Sequence, residues 1–316
     1  MNKHWLLGLA LLCLPLTAAH AASKPNSEKI AAEFAATVKG VTPAHANTNR
    51  AGDNPNLELW HNGTEDVLTY ENWGTNSYTR NATNVLQAAG VNLSGISVPS
   101  WIPALNQQQL YATAITPQHI ISSAHWHPTV GQALFFVDTA NHAVSRKIVS
   151  DKQIIDRNGG LTDLWIGRLE TALPASIKPF KVLPDNYQSL LGDIKAGIPA
   201  WVCQGGNTTT ANLWTATGED DAAGNPPNPS KGFDVRFTQL SGEFAAWNTV
   251  THGGSGSPLY ITVDKQPVLI SILHYMNAAI MLGGPSVADL ATEINAALAE
   301  LDGNNKGYRL TAVKLK

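Results

Sequence analysis

Between about residues 64 and 284, apolar residues gather in short β-prone runs punctuated by turn residues. The runs include Ala133–Val137 (ALFFV), Leu164–Ile166 (LWI), Phe180–Leu183 (FKVL), Phe233–Phe237 (FDVRF), Leu259–Val263 (LYITV) and Val268–Leu273 (VLISIL). None carries the 3.6-residue period of a long amphipathic helix. Many short strands with regular turns predict a sandwich or barrel.

Helical spacing is confined to the two ends. In Ser27–Val38, the apolar residues Ile30, Phe34 and Val38 fall on one face and Gly40 follows as a stop. This helix is expected to be an N-terminal brace or part of a pro-segment. Near the other end, Ser286-Val-Ala-Asp289 matches a capping box, and Leu290, Ile294, Ala297 and Leu301 form one stripe. Gly303 then stands where a helix ends, and Tyr308–Leu315 is a last β-like run. Residues 41–57 have a linker composition, and Gly218–Gly232 (GEDDAAGNPPNPSKG) is a polar loop.

The first residues have the pattern of a signal peptide over 1–21. Lys3 and His4 precede the apolar run Trp5–Thr17, and Ala19-His20-Ala21 offers a small-x-small cleavage site. The run is short for a membrane span, which takes about 20 residues, and Pro15 interrupts it. No later segment is long and apolar enough to span a membrane. The expected location is outside the cytoplasm, extracellular or periplasmic. Cleavage would remove Cys13 and leave Cys203 without an internal disulfide partner. Cys203 lies in the apolar run Ile198–Cys203, as a buried structural thiol would.

Charge narrows the range of partners. Charged residues make up 14% of the chain and the net charge is −3. The charged fraction of an average soluble protein is roughly 25%. No cluster of Lys and Arg is present to bind phosphates, which argues against a nucleic-acid partner. Nothing in the pattern fixes an oligomeric state.

Three segments carry candidate chemistry. Ser255 is flanked by glycines in His252-Gly-Gly-Ser-Gly-Ser-Pro258. Glycine permits the backbone angles at which N–H groups converge on a developing oxyanion, and Gly253 and Ser255 are the natural donors. A serine hydroxyl needs a base, and His125 ends the apolar run that contains Ile120 and Ile121. The base needs an acceptor to fix its tautomer, and Asp163 leads into the apolar strand that follows it. Taken singly, these residues also fit a Gly/Ser turn, a core histidine and a strand-capping aspartate. Together they run in the order His, Asp, Ser, with a strand after the serine where an α/β-hydrolase has a helix. His125 and His127 could be two metal ligands, but no third is marked out. His61, His119 and His142 are expected at the surface or in turns.

These segments resemble the trypsin/chymotrypsin-like serine peptidases. Ser122-Ser-Ala-His125-Trp126 is similar to the family's T-A-A-H-C block, Thr162–Leu169 to N-D-I-A-L-I-K-L, and Gly253–Pro258 to G-D-S-G-G-P. Leu173-Pro174 and Val182-Leu183-Pro184 resemble its Leu-Pro landmarks. The resemblance extends over roughly residues 95–284. It implies an all-β fold of two packed six-stranded antiparallel β-barrels. The first, at 91–184, would hold His125 and Asp163, and the second, at 185–284, would hold Ser255. Residues 22–90 would form a partly helical N-terminal extension or pro-segment, and 285–316 a C-terminal helix and strand. The implied activity is that of a secreted serine endopeptidase. It would cut protein or peptide substrates through an acyl-enzyme, with no metal or organic cofactor. A catalytically silent binding protein and a serine esterase are the other readings of the same fold.

The departures from the family are specific. Trp126 replaces the cysteine after the histidine, in keeping with a disulfide-free chain. Gly254 replaces the aspartate that, in zymogen-type relatives, receives a newly cut N-terminus. Removal of residues 22–60 is therefore not expected to act as a trypsin-type activation switch. Thr249 stands where trypsin-like enzymes place an aspartate, which disfavours Lys or Arg before the cut. His274-Tyr275 resembles the I-H-W segment of glutamyl endopeptidases, and His252 lies near the serine. Thr249, His252 and His274 are thus candidate substrate-binding residues, with a preference for Glu or Asp before the cut.

Overall fold

The computed structural model describes residues 26–39, 69–72, 78–98, 100–102, 108–191, 198–204, 207–215, 234–238, 254–276, 280–303 and 307–315. The signal segment 1–21, the linker 41–57 and the loop 218–232 lie outside the described residues, as do His61, Thr249, His252 and Gly253.

Helix α1 spans Asn26–Val38. Two small antiparallel pairs follow, β1 (Tyr70–Asn72) with β2 (Thr79–Arg80) and β3 (Ser100–Ile102) with β4 (Gln108–Leu110). The short helix α2 (Val85–Ala88) lies between the pairs, capped by the Asn84 side chain. The first large sheet contains β5 (Thr113–Thr116), β6 (His119–Ser123), β7 (Ala133–Val137), β8 (Ala143–Ile155) and β9 (Leu161–Leu169). Its order is β5-β6-β9-β8-β7, antiparallel throughout. The sheet is curled, and residues 96–98 span its two edges. Ser97 N–H donates to Ala112 O at 2.9 Å on the β5 side, and Val98 N–H to Phe135 O at 2.8 Å on β7. Ala114, Ile120, Leu134, Phe136, Ile148 and Trp165 fill the hollow.

Among the described residues the second sheet has seven strands. They are β10 (Lys181–Val182), β11 (Ile198–Gln204), β12 (Asn207–Thr215), β13 (Asp234–Thr238), β14 (Pro258–Val263), β15 (Gln266–Met276) and β16 (Ile280–Pro285). Helix α3 (Tyr187–Leu191) comes between β10 and β11. The order is β10-β15-β14-β11-β12-β13-β16, and β16 pairs back onto β15. Only β10 runs parallel to its neighbour. Among the described residues the chain is thus mostly β, built from curled sheets of five and seven strands, antiparallel except at β10, where the resemblance implies two barrels of six.

Strands β11 and β14 show why the sequence gives continuous apolar runs rather than alternation. Ile198, Ala200 and Val202 of β11 pack on one side with Leu259 and Ile261 of β14. Trp201 and Cys203 face the other side with Tyr260. That second face meets Ile115, Ile121, Leu164 and Ile166 of the first sheet, so the main core is the layer between the sheets. A strand buried on both faces has no polar side to show.

Helix α1 closes one flank of this core. Ile30, Phe34 and Val38 are buried, as the spacing predicts, and the Phe34 ring lies 4.6 Å from that of Trp201. Its Glu33 carboxylate accepts the N–H groups of Asp264 and Lys265, each at 2.9 Å. These two residues form the turn between β14 and β15 at φ 51° and 60°, the positive-φ pair of a tight hairpin.

The C-terminal helix α4 spans Ala291–Leu301 and buries Ile294, Ala297 and Leu298. Its start corrects the capping-box expectation. The N-cap is Leu290, with no side-chain cap, and the Asp289 carboxylate instead accepts the Tyr187 hydroxyl at 3.1 Å. The helix ends as expected, with Gly303 at φ 59°. The final run forms no strand. A single bridge joins Ala312 to Val182. Among the described residues no helix is long and apolar enough to cross a membrane.

Candidate active site

The first sheet positions two of the three candidate catalytic groups. Strands β6 and β9 pair through Ser123 and Leu164, and the ladder continues one step further, with Ala124 N–H donating to Asp163 O at 2.8 Å. His125 therefore leaves β6 beside Asp163 of β9. The Asp163 carboxylate holds it twice. Oδ1 accepts the His125 backbone N–H at 2.8 Å, and Oδ2 lies 2.7 Å from His125 Nδ1. A carboxylate only accepts, so Nδ1 carries the proton and the Nε2 lone pair is left to face Ser255. Nε2 lies 2.9 Å from Ser255 Oγ.

The second sheet supplies Ser255, which sits just before β14 in a turn closed by Ser257 N–H to Gly254 O at 3.0 Å. Gly256, third in that turn, has φ 87°, as a type II turn requires. The turn is tied to β15 by two backbone bonds, Gly256 N–H to Leu273 O at 3.0 Å and Leu273 N–H to Ser257 O at 2.8 Å. A side chain at Gly256 would also meet Ser122 Oγ at 2.5 Å. Ser122 is fully buried and donates to Tyr111 O at 2.8 Å. The sequence marks Ser122 only through its place in the histidine block, and its part in seating the serine turn is visible only in three dimensions.

His274 of β15 joins the same cluster. Its Nδ1 bonds to Asp163 Oδ2, the oxygen that also holds His125. Its backbone carbonyl lies 3.4 Å from Ser255 Oγ, longer than the bond to His125. The two imidazole rings are edge-on, with centroids 5.3 Å apart. The side chains of His125 and His274 are 46% and 42% exposed, whereas that of Asp163 is 15% exposed. Burial pushes the Asp163 pKa up. The hydrogen bonds and charges of His274, and then of His125, outweigh it and hold the carboxyl below its ordinary value.

The remaining candidates fall elsewhere. His127 stacks on Trp165 at 4.5 Å and donates from Nδ1 to Pro128 O, so it does not join His125 as a ligand pair. His142 is exposed, beside Asp138, as expected. His119 is a correction. Strand β6 is buried at all five positions, and the His119 ring lies inside, 2.8 Å from the Thr116 hydroxyl. Cys203 is buried and free, and burial pushes its thiol up to about 11 against the opposing Thr69 hydroxyl bond. Thr249, His252 and the expected oxyanion donor Gly253 lie outside the described residues.

No family model and no curated protein matches the chain. Among solved structures, it is similar to human heparin binding protein at 13% identity over 68% of this chain and 93% of that one, with a TM-score of 0.46. A mutant of human heparin binding protein (CAP37) gives 14% identity over 68% and 93%, also at 0.46. An atomic-resolution structure of HBP gives 13% over 65% and 91%, with the same score.

Proposed function

We propose that the protein is a secreted serine endopeptidase of the chymotrypsin-like kind, acting through an acyl-enzyme. The observation that carries this reading is the relay at His125, with Nδ1 2.7 Å from Asp163 Oδ2 and Nε2 2.9 Å from Ser255 Oγ. The pairing of the second sheet back onto itself, from β15 through β14, β11, β12 and β13 to β16, supports the barrel expected around Ser255.

In this reading Ser255 Oγ attacks the scissile carbonyl while His125 Nε2 takes its proton. Asp163 keeps the Nδ1–H tautomer and stabilises the imidazolium that forms. The N–H groups of Gly253 and Ser255 receive the oxyanion. His125 then passes the proton to the leaving amine, and water repeats the sequence to release the acid. No step calls for a metal or organic cofactor.

The test is labelling with a fluorophosphonate probe, on the protein and on Ser255→Ala, with the adduct mapped by mass spectrometry. A phosphonyl group on Ser255, absent from the variant, is the expected result. A folded protein that stays unlabelled would overturn the reading. Matched peptide and ester substrates then separate a peptidase from an esterase.

A further inference from the structure

We propose that His125, Asp163 and His274 form a binding site for a transition-metal dication, Zn2+ foremost, and that its occupation switches the hydrolytic centre off. The switching rests on the proposed peptidase reading, but the binding does not. Two imidazoles and a carboxylate each offer a ligand atom, and all three atoms lie within 4.8 Å of one another. Tetrahedral zinc holds N and O ligands at about 2.0–2.2 Å, which places ligand atoms roughly 3.3 Å apart. Small shifts of exposed rings meet that spacing. Both Nδ1 atoms are already aimed at one Asp163 oxygen, so a single cation can replace two hydrogen-bonded protons.

The donor set selects the ion. Imidazole nitrogen favours Zn2+, Cu2+ or Ni2+, whereas Mg2+ and Ca2+ prefer sites made wholly of oxygen. Two of the three ligands are nearly half exposed, so the ion can enter from solvent and keep water at its fourth position. This set is not the His125-x-His127 pair that adjacency in sequence suggests, because the His127 ring is stacked on Trp165.

The consequence follows from proton placement. The entering ion sheds water and bonds to the Nδ1 lone pair, and each neutral imidazole moves its proton from Nδ1 to Nε2 through solvent. No electron is transferred. His125 then presents an N–H to Ser255 where it needs a lone pair. Asp163 is occupied by the metal and no longer orients the base. The serine loses its proton acceptor, and nucleophilic attack stops.

The experiment is a calorimetric titration of the protein with Zn2+, alongside Ser255→Ala, His274→Ala and Asp163→Asn. One ion per chain is expected in the protein and in Ser255→Ala, with affinity at least about tenfold weaker in the other two, since loss even of a group supporting a metal ligand costs that much. X-ray absorption at the zinc edge of the unaltered protein should show two imidazole nitrogens, a readout that needs no variant to fold. Absence of binding, or binding that both ligand variants retain, would overturn the site. In parallel, fluorophosphonate labelling should slow as Zn2+ rises and recover on chelation. Labelling indifferent to bound zinc overturns the switch. A protein unlabelled even without metal overturns the peptidase reading and with it the switch, and the titration still decides the site.

Discussion

His125 and His274 come from different sheets, yet both bond through Nδ1 to the same oxygen of Asp163, with their rings at 85° to each other. The shared carboxylate joins the two halves of the site. It also makes protonation of Asp163 costly to the native state.

The first prediction concerns acid. The folded pKa of Asp163 is depressed by the two histidines, against its burial. The stabilisation is therefore present above the unfolded value, about 3.9, and is lost as pH falls through the lower folded value. Removing one histidine raises the folded pKa and shrinks that contribution. His274→Gln should unfold at a higher pH than the parent on acid titration followed by circular dichroism. An unchanged acid midpoint would show that His274 does not hold Asp163.

The second prediction concerns the serine turn. Gly256→Ala forces a side chain into φ 87° and places Cβ 2.5 Å from Ser122 Oγ and 3.3 Å from Trp126 O. The backbone strain alone costs about 1–2 kcal/mol. The larger expected effect is on Ser255, which the displaced turn no longer presents to His125. Urea unfolding should show the destabilisation, and fluorophosphonate labelling should slow. Adding Ser122→Ala should recover part of the labelling by removing the clash, while the strain remains.

The third prediction separates a brace from a removable segment. Phe34 is buried against Trp201, and Glu33 holds the turn at Asp264 and Lys265. Phe34→Ala should cost about 3–5 kcal/mol, the usual loss for a buried aromatic. The N-terminus of active, exported protein should precede Asn26. Fully active protein beginning beyond Val38 would refute the brace.

The sequence pattern located these elements unevenly, for physical reasons. Ala133–Val137 is a strand with the expected bounds, and Ile30, Phe34 and Val38 point inward, because burial of a periodic apolar face is a local property. The order His, Asp, Ser is legible because each proposed role demands one residue type. The ring direction of His274 is not, since its position allows contact with either substrate or Asp163 and only the packed sheets decide. His119, expected at the surface or in a turn, opens a strand that is buried at every position, which the sequence around one histidine does not reveal. Here the whole of β6 is covered, Thr116 bonds to the ring at Nδ1, and Nε2 lies 3.5 Å from the buried Asp302 carboxylate. Asp289 matches a capping box in spacing, but the Tyr187 hydroxyl claims it from another helix.

Specificity provides a fourth prediction. His274 lies beside Ser255, with its ring 42% exposed, and is the one candidate specificity residue among those described. Peptides varied only at the residue before the cut should favour Glu or Asp. If Leu or Phe is preferred severalfold over Glu, the acid-binding role of His274 is wrong and its ring serves Asp163 alone.

The last prediction concerns Cys203, the free thiol in the core. It is 2% exposed, with its sulfur 3.6 Å from the Thr69 hydroxyl, and burial pushes its pKa up to about 11. A thiolate is the reactive form, so at pH 8 the native protein should resist iodoacetamide, while protein in denaturant should take one label at this residue. The same shift has a consequence for stability. An unfolded thiol ionises near about 8.5, so between that value and 11 the unfolded chain binds fewer protons than the folded one. Stability must then fall as pH rises through this range. Cys203→Ala removes the proton linkage but also leaves a small cavity against Tyr260 and Trp201. The variant should be weaker than the parent at pH 7, and the difference should narrow by pH 10. A gap that stays constant with pH would mean that the thiol ionises alike in both states, and that its burial in the core is less complete than its contacts require.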